Sequence, residues 1–161
     1  MESKAKLLGH PVHPMLVVLP LGLFIAAVVF DAAYIFFGNP TFAQVGYWNI
    51  AGGVIGGLLA AVFGLVDWVA IPGGTRAKRI GLIHGASNVV AVLTFAVAWW
   101  MRSEAIDTAP TAAVMGMEVA ALLVGSVAGW LGGELVDRLG VGVDEGANLN
   151  APSSLSGRPA R

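Results

Sequence analysis

The sequence predicts an all-α integral membrane protein: a four-transmembrane-helix bundle with its N- and C-termini cytoplasmic and a disordered C-terminal tail. Three observations predict it. Of the 161 residues, 57% are hydrophobic and 12% are charged, about half the charged share of a soluble domain. The charges are also segregated, with none between Asp31 and Asp67, from Ile80 to Met101, or from Val119 to Gly133. Finally, Lys and Arg fall almost entirely on one side of the topology these gaps define.

A helix needs about 20 mostly apolar residues to cross the hydrocarbon core. Four stretches qualify: Pro14–Phe37, Gly46–Ala70, Ile80–Met101 and Ala112–Gly133. Backbone exposed to lipid must satisfy its own hydrogen bonds, which favours helices. None of the stretches alternates polar with apolar residues as barrel strands do. The first follows Lys4 and Lys6 as a signal peptide would, but its apolar run exceeds the roughly 7–15 residues of a signal core and further spans follow, so it is read as retained. Pro20 is expected to kink this helix rather than split it. The second follows a connection over Gly38–Val45, where Gly38, Asn39 and Pro40 stop a helix. The third follows Ile71–Arg79 with Pro72, Gly73 and Gly74, and the fourth follows Arg102–Thr111 with Pro110. Residues 8–143 form the transmembrane domain. Residues 144–161, rich in Asn, Pro, Ser, Gly and Arg, have too few apolar side chains to pack. No repeat of about 20–50 residues is visible.

Of nine Lys and Arg residues, an inside N-terminus leaves only Arg102 outside. Lys4, Lys6, Arg76, Lys78, Arg79, Arg138, Arg158 and Arg161 all become cytoplasmic, as the positive-inside rule prefers. Low Lys with abundant Ala, Gly and Val suggests a bacterial source and hence the inner membrane. A formal net charge of -1 argues against a nucleic-acid partner. With no cysteine, disulfides, thiolate metal sites, iron–sulfur clusters and covalently attached haem are excluded.

Helices in lipid associate through close packing and polar contacts. Gly52, Gly53, Gly56, Gly57, Ala60, Ala61 and Gly64 on the second helix mark packed faces, as do Gly125, Gly129 and Gly133 on the fourth. Both rows are expected to pack within the bundle rather than against a second copy. The polar residues sort by depth into two layers separated by an apolar middle. His10, His13, Asp67, His84, Asn88 and Glu134 lie toward the cytoplasmic side. Asp31, Asn49, Arg102 and Glu118 lie toward the outer side.

An ionisable group within a span suggests function by default. The outer layer is read as structural, with Arg102 pairing with Asp31 or Glu118 and Asn49 bridging helices. The inner layer holds every histidine of the chain, and the prolines of His10-Pro11-Val12-His13-Pro14 stiffen the start of the first helix. His10, His13, Asp67 and His84 together suit a divalent metal ion such as Zn, Fe, Mn or Ni. His13 and His84 alone, from facing helices, suit a b-type haem. Helix-to-helix hydrogen bonding and a proton relay are the other readings of the same residues. No P-loop, dinucleotide fingerprint, zinc-protease helix or nucleophile elbow is present, so an ordinary hydrolase or transferase is not expected.

The opening Gly9-His10-Pro11-Val12-His13-Pro14, continuing to Pro20 and Asp31, resembles that of the DUF2231 family of predicted bacterial membrane proteins. Gly64-Leu65-Val66-Asp67-Trp68, His84 with Asn88, and Gly132-Gly133-Glu134-Leu135-Val136 with Gly140-Val141 follow in order. The resemblance covers roughly Leu8 to Val143. Asp137 departs from it, standing where an aromatic residue is expected. The resemblance implies four spans, maps His10, His13, Asp67, His84 and Asn88 onto family positions, and implies redox company, since members are sometimes joined to c-type haem or Rieske-like modules. The leading expectation is therefore a haem- or metal-binding accessory protein of the inner membrane, working with a membrane redox partner or as a homo-oligomer. The alternatives are a non-catalytic scaffold or subunit and a small transporter or proton conductor.

Overall fold

The computed structural model describes residues 1–160; Arg161, counted above among the cytoplasmic charges, lies outside the described residues. The chain opens with a two-residue strand β1 (Lys6–Leu7) paired antiparallel to β2 (His10–Pro11). Leu8 and Gly9 turn between them with φ of 51° and 84°, the double positive φ of a tight hairpin turn. This hairpin falls outside an all-α expectation.

Five helices follow: α1 (Val12–Leu16), α2 (Val18–Phe37), α3 (Pro40–Ala70), α4 (Arg76–Met101) and α5 (Ala112–Gly133). Helices α1 and α2 form one span of 26 residues, interrupted at Val17. Pro20 explains the interruption, because it has no N–H to give the Leu16 carbonyl and its ring crowds that carbonyl. Val17 keeps right-handed helical angles, φ -64° and ψ -18°, so the span bends without splitting. Together with α3, α4 and α5, it makes four helices long and apolar enough to cross a membrane.

The ends of the spans depart from the simple hydropathy boundaries for local reasons. Helix α3 begins at Pro40, not near Gly46, because Pro suits the first helical position and the Asn39 side chain accepts from Thr41 N–H. Only Gly38 and Asn39 connect it to α2, with Gly38 left-handed at φ 66°. Helix α4 begins at Arg76, four residues before Ile80, because Thr75 caps it by accepting from Lys78 N–H at 3.1 Å. Lys78 in turn donates to the Trp68 and Val69 carbonyls at the end of α3. Thr111 caps α5. That helix runs on into a π-helical turn, Glu134–Arg138, past the expected end at Gly133.

Sequence neighbours pack side by side, α2 on α3, α3 on α4 and α4 on α5, and α5 returns to α2. That leaves α2 and α4 facing each other across the bundle, where Phe24 and Phe95 stack with ring centres 4.0 Å apart and planes 2° apart. Ala27, Ile50 and Ala121 complete this apolar middle. The glycines of α3 make it possible: a methyl group on Gly53 would lie 2.5 Å from the Phe24 ring, and one on Gly57 2.8 Å from Val92. The row on α5 behaves otherwise. No atom lies within 4 Å of where side chains on Gly125, Gly129 or Gly133 would sit, so it does not pack within the bundle as expected. The fourth-helix glycine that does is Gly132.

Both chain ends sit at one end of the bundle, with the Met1 ammonium on the Gly140 carbonyl at 2.7 Å. Residues 144–160 contain turns and a short 3-10 turn, Ser154–Ser156, and reach the N-terminal segment. Lys6 pairs with Asp144 and Glu145 N–H donates to Glu2. These are surface polar contacts, which is why apolar composition gave no sign of them.

Candidate functional site

His13 on α1 and His84 on α4 dock in the same manner on different helices. His13 Nδ1 donates to the Ala60 carbonyl of α3 at 2.8 Å, and His84 Nδ1 donates to the Ala128 carbonyl of α5 at 2.7 Å. Four residues past each carbonyl stands a glycine on which the ring lies. A methyl group on Gly64 would be 2.8 Å from His13, and one on Gly132 would be 3.1 Å from His84. The two rings approach to 6.2 Å between centres, with planes 86° apart. A carbonyl only accepts, so each Nδ1 carries a proton, which in a neutral imidazole leaves the lone pair on Nε2. Asn88 Nδ2 donates to the His84 carbonyl at 3.0 Å and stands 3.5 and 3.3 Å from the two ring nitrogens. Near-equal distances put it out of line with the one ring lone pair, on Nε2. Both histidines are half-buried.

The four-residue group expected around a metal ion does not form. His10 is exposed and meets only Ser154 Oγ, at 3.3 Å. Asp67 lies almost a turn beyond Gly64 on α3, where the N-terminal strap reaches it first. Ser3 Oγ donates to its carboxylate at 2.8 Å and Lys4 N–H at 2.7 Å. Among the described residues, no three His, Cys, Asp or Glu side chains are placed to share a metal ion. Glu134 is taken by Arg76 at 2.6 Å. The structure thus brings together His13, His84 and Asn88, and separates His10, Asp67 and Glu134 from them.

At the opposite end, Arg102 meets both of its expected partners, Asp31 and Glu118, at once. Its Nη2 donates to Asp31 Oδ1 at 2.8 Å and to the Ala43 carbonyl at 3.0 Å. Its Nη1 donates to Asp31 Oδ2 and, at 3.3 Å, to Glu118 Oε1. The Asp31 and Glu118 side chains are 0% exposed and that of Arg102 is 3%. Gly46 of α3 leaves the room that the Asp31 carboxylate fills. Asn49 forms no side-chain hydrogen bond among the described residues; the Ala43 carbonyl supplies the contact from α3 instead.

Sequence reasoning missed Ser3, the Ala60 and Ala128 carbonyls, and a longer repeat that joins the two sites. Asp31 and Arg102 are 71 residues apart. His13 and His84 have the same spacing, and so do Phe24 and Phe95. Each pair meets between the first span (α1 and α2) and α4 with its C-cap, so one helical hairpin faces a counterpart of similar design, as in internally repeated membrane folds. The sequence signal is self-similarity at that offset, well above a period of about 20–50 residues.

No curated protein and no solved structure matches the chain. The family model described as a predicted membrane protein, DUF2231, matches residues 9–145, and the chain is a multi-pass membrane protein of that family.

Proposed function

We propose that His13 and His84 form a two-imidazole site for a b-type haem, and that the protein serves electron transfer or supports a membrane redox partner. The carrying observation is the pair of Nδ1–H bonds to backbone carbonyls. They fix both tautomers, orient both rings and leave both Nε2 lone pairs for a ligand, the usual way a protein prepares an iron- or zinc-binding histidine. The size of the ligand set favours haem over a bare ion. A structural zinc site wants about four protein ligands, whereas haem iron takes its axial ligands from the protein and the rest from the porphyrin. The rings stand edge to face with centres 6.2 Å apart. Haem there would supply a one-electron couple; Gly64 and Gly132 hold the imidazoles, and Asn88 flanks one of them. The positive-inside rule assigns this end to the cytoplasm and the composition to a bacterial inner membrane.

A second reading has an observation of its own. The Nδ1–H bonds join α1 to α3 and α4 to α5, which suits a scaffold whose histidines only dock helices. Absorption spectra of detergent-purified protein, oxidised and reduced, with metal analysis of the same sample, separate the two. Haem binding gives a Soret band that His13→Ala and His84→Ala each abolish while helical circular dichroism is kept. A colourless, metal-free protein sinks the haem reading and leaves the scaffold.

A further inference from the structure

We propose that the cluster at the other end of the bundle, Asp31, Arg102 and Glu118, is a proton-binding site, with the proton carried on Glu118 Oε2. This inference stands apart from the histidine reading. Asp31 and Glu118 sit within spans and Arg102 directly follows one, and at most 3% of any of the three side chains is exposed. Two carboxylates face one guanidinium, so one negative charge is left without a counter-charge. An uncompensated charge in such surroundings is strongly disfavoured. Of the other groups at the cluster, the Ala43 carbonyl of α3 is already used by Arg102, and the guanidinium's own Nε–H is buried without a partner. Among the described residues, no further cation reaches it.

The hydrogen bonds show which oxygen takes the missing charge. Both Asp31 oxygens accept from Arg102, and Glu118 Oε1 accepts from the same guanidinium. Glu118 Oε2 is fully buried and has no partner. A hard metal ion gathers several oxygens around itself, and here one oxygen is free. A proton needs only that one. Its binding converts the Glu118 carboxylate to a carboxylic acid, forms an O–H bond at Oε2 and leaves the Arg102–Asp31 pair electrically balanced.

Infrared spectroscopy of the full-length protein in lipid at neutral pH tests this. A carbonyl band of a buried carboxylic acid is expected, shifted in D2O and absent from Glu118→Gln. Because Gln has the shape of the neutral acid, Glu118→Gln should unfold within about 2 °C of the parent, whereas Asp31→Asn, which uncouples Arg102, should lower the midpoint by at least about 5 °C. Three results would overturn the proposal: no acid band in the parent, an acid band that survives in Glu118→Gln, or a midpoint raised by sodium in the parent and not in Glu118→Gln. The last would identify a metal cation as the ligand.

Discussion

The two ends of the bundle keep polar groups inside an apolar assembly in opposite ways. At the end that carries the termini, the groups are half-buried imidazoles, each bonded to one backbone carbonyl of a neighbouring helix. At the other end they are a guanidinium and two carboxylates, fully buried and bonded to one another. A neutral donor on a backbone carbonyl is worth about 1 kcal/mol and can be lost alone. A buried charge cannot lose its partner without leaving the other stranded. The charged end therefore ties helices together through a buried ion-paired cluster, while the imidazole end does so through single hydrogen bonds to backbone carbonyls.

The largest effect that would break this contrast comes from Arg102→Leu. It strands the buried Asp31 carboxylate, at a cost of about 3–5 kcal/mol, and thermal unfolding in detergent should drop by roughly 10 °C. Replacing Asp31 by Leu as well should restore much of the loss, since removing both members of a buried pair is far cheaper than removing one. An unchanged midpoint for the single variant would mean that the charged cluster does not hold the helices.

A smaller effect sharpens the imidazole end. Gly64→Ala presses a methyl group on His13 and should cost about 1–3 kcal/mol, as overpacking does. Gly132→Ala should cost less, because the gap to His84 is 3.1 Å rather than 2.8 Å. Gly129→Ala, one turn away on the open face, should stay within about 0.5 kcal/mol. Equal losses at all three positions, measured by thermal unfolding, would contradict the docking geometry.

The smallest effect concerns the strap between the termini. The Lys6 ammonium and the Glu145 amide hold the Glu2 carboxyl below its ordinary value of 4.5. A lowered value in the folded state means that the tether is fully present above the ordinary carboxylate range and fades as pH falls through the folded value. Glu2 is exposed, so added salt should weaken the tether as well. Amide exchange of residues 1–7 checks this, with lower protection relative to the intrinsic exchange rate expected at acid pH and at high salt.

Much of the frame was legible. The charge-free runs located four spans, and Pro20 announced the bend at Val17. His13, His84, Asp31, Arg102 and Glu118 were all visible as polar residues in apolar runs, sorted correctly into two layers. Their partners were less visible. Asp67 looked like a companion of the histidines because it shares their depth, yet Ser3 and Lys4 occupy it, and short-range depth arguments cannot foresee a strap folding back across the bundle end. Pro40 read as a breaker although at the first position of a helix it is a starter. The glycines of α5 looked like those of α3, and only helix rotation separates a packed row from an open one.

The sequence by itself determined that the chain crosses the membrane and where, because transfer into hydrocarbon is a local cost summed along each segment. Tertiary structure alone decided which side chains meet. That depends on how each helix is rotated about its axis and how closely its neighbours approach, and both are set by contacts between segments far apart in the chain, such as Gly53 under Phe24 and Gly64 under His13.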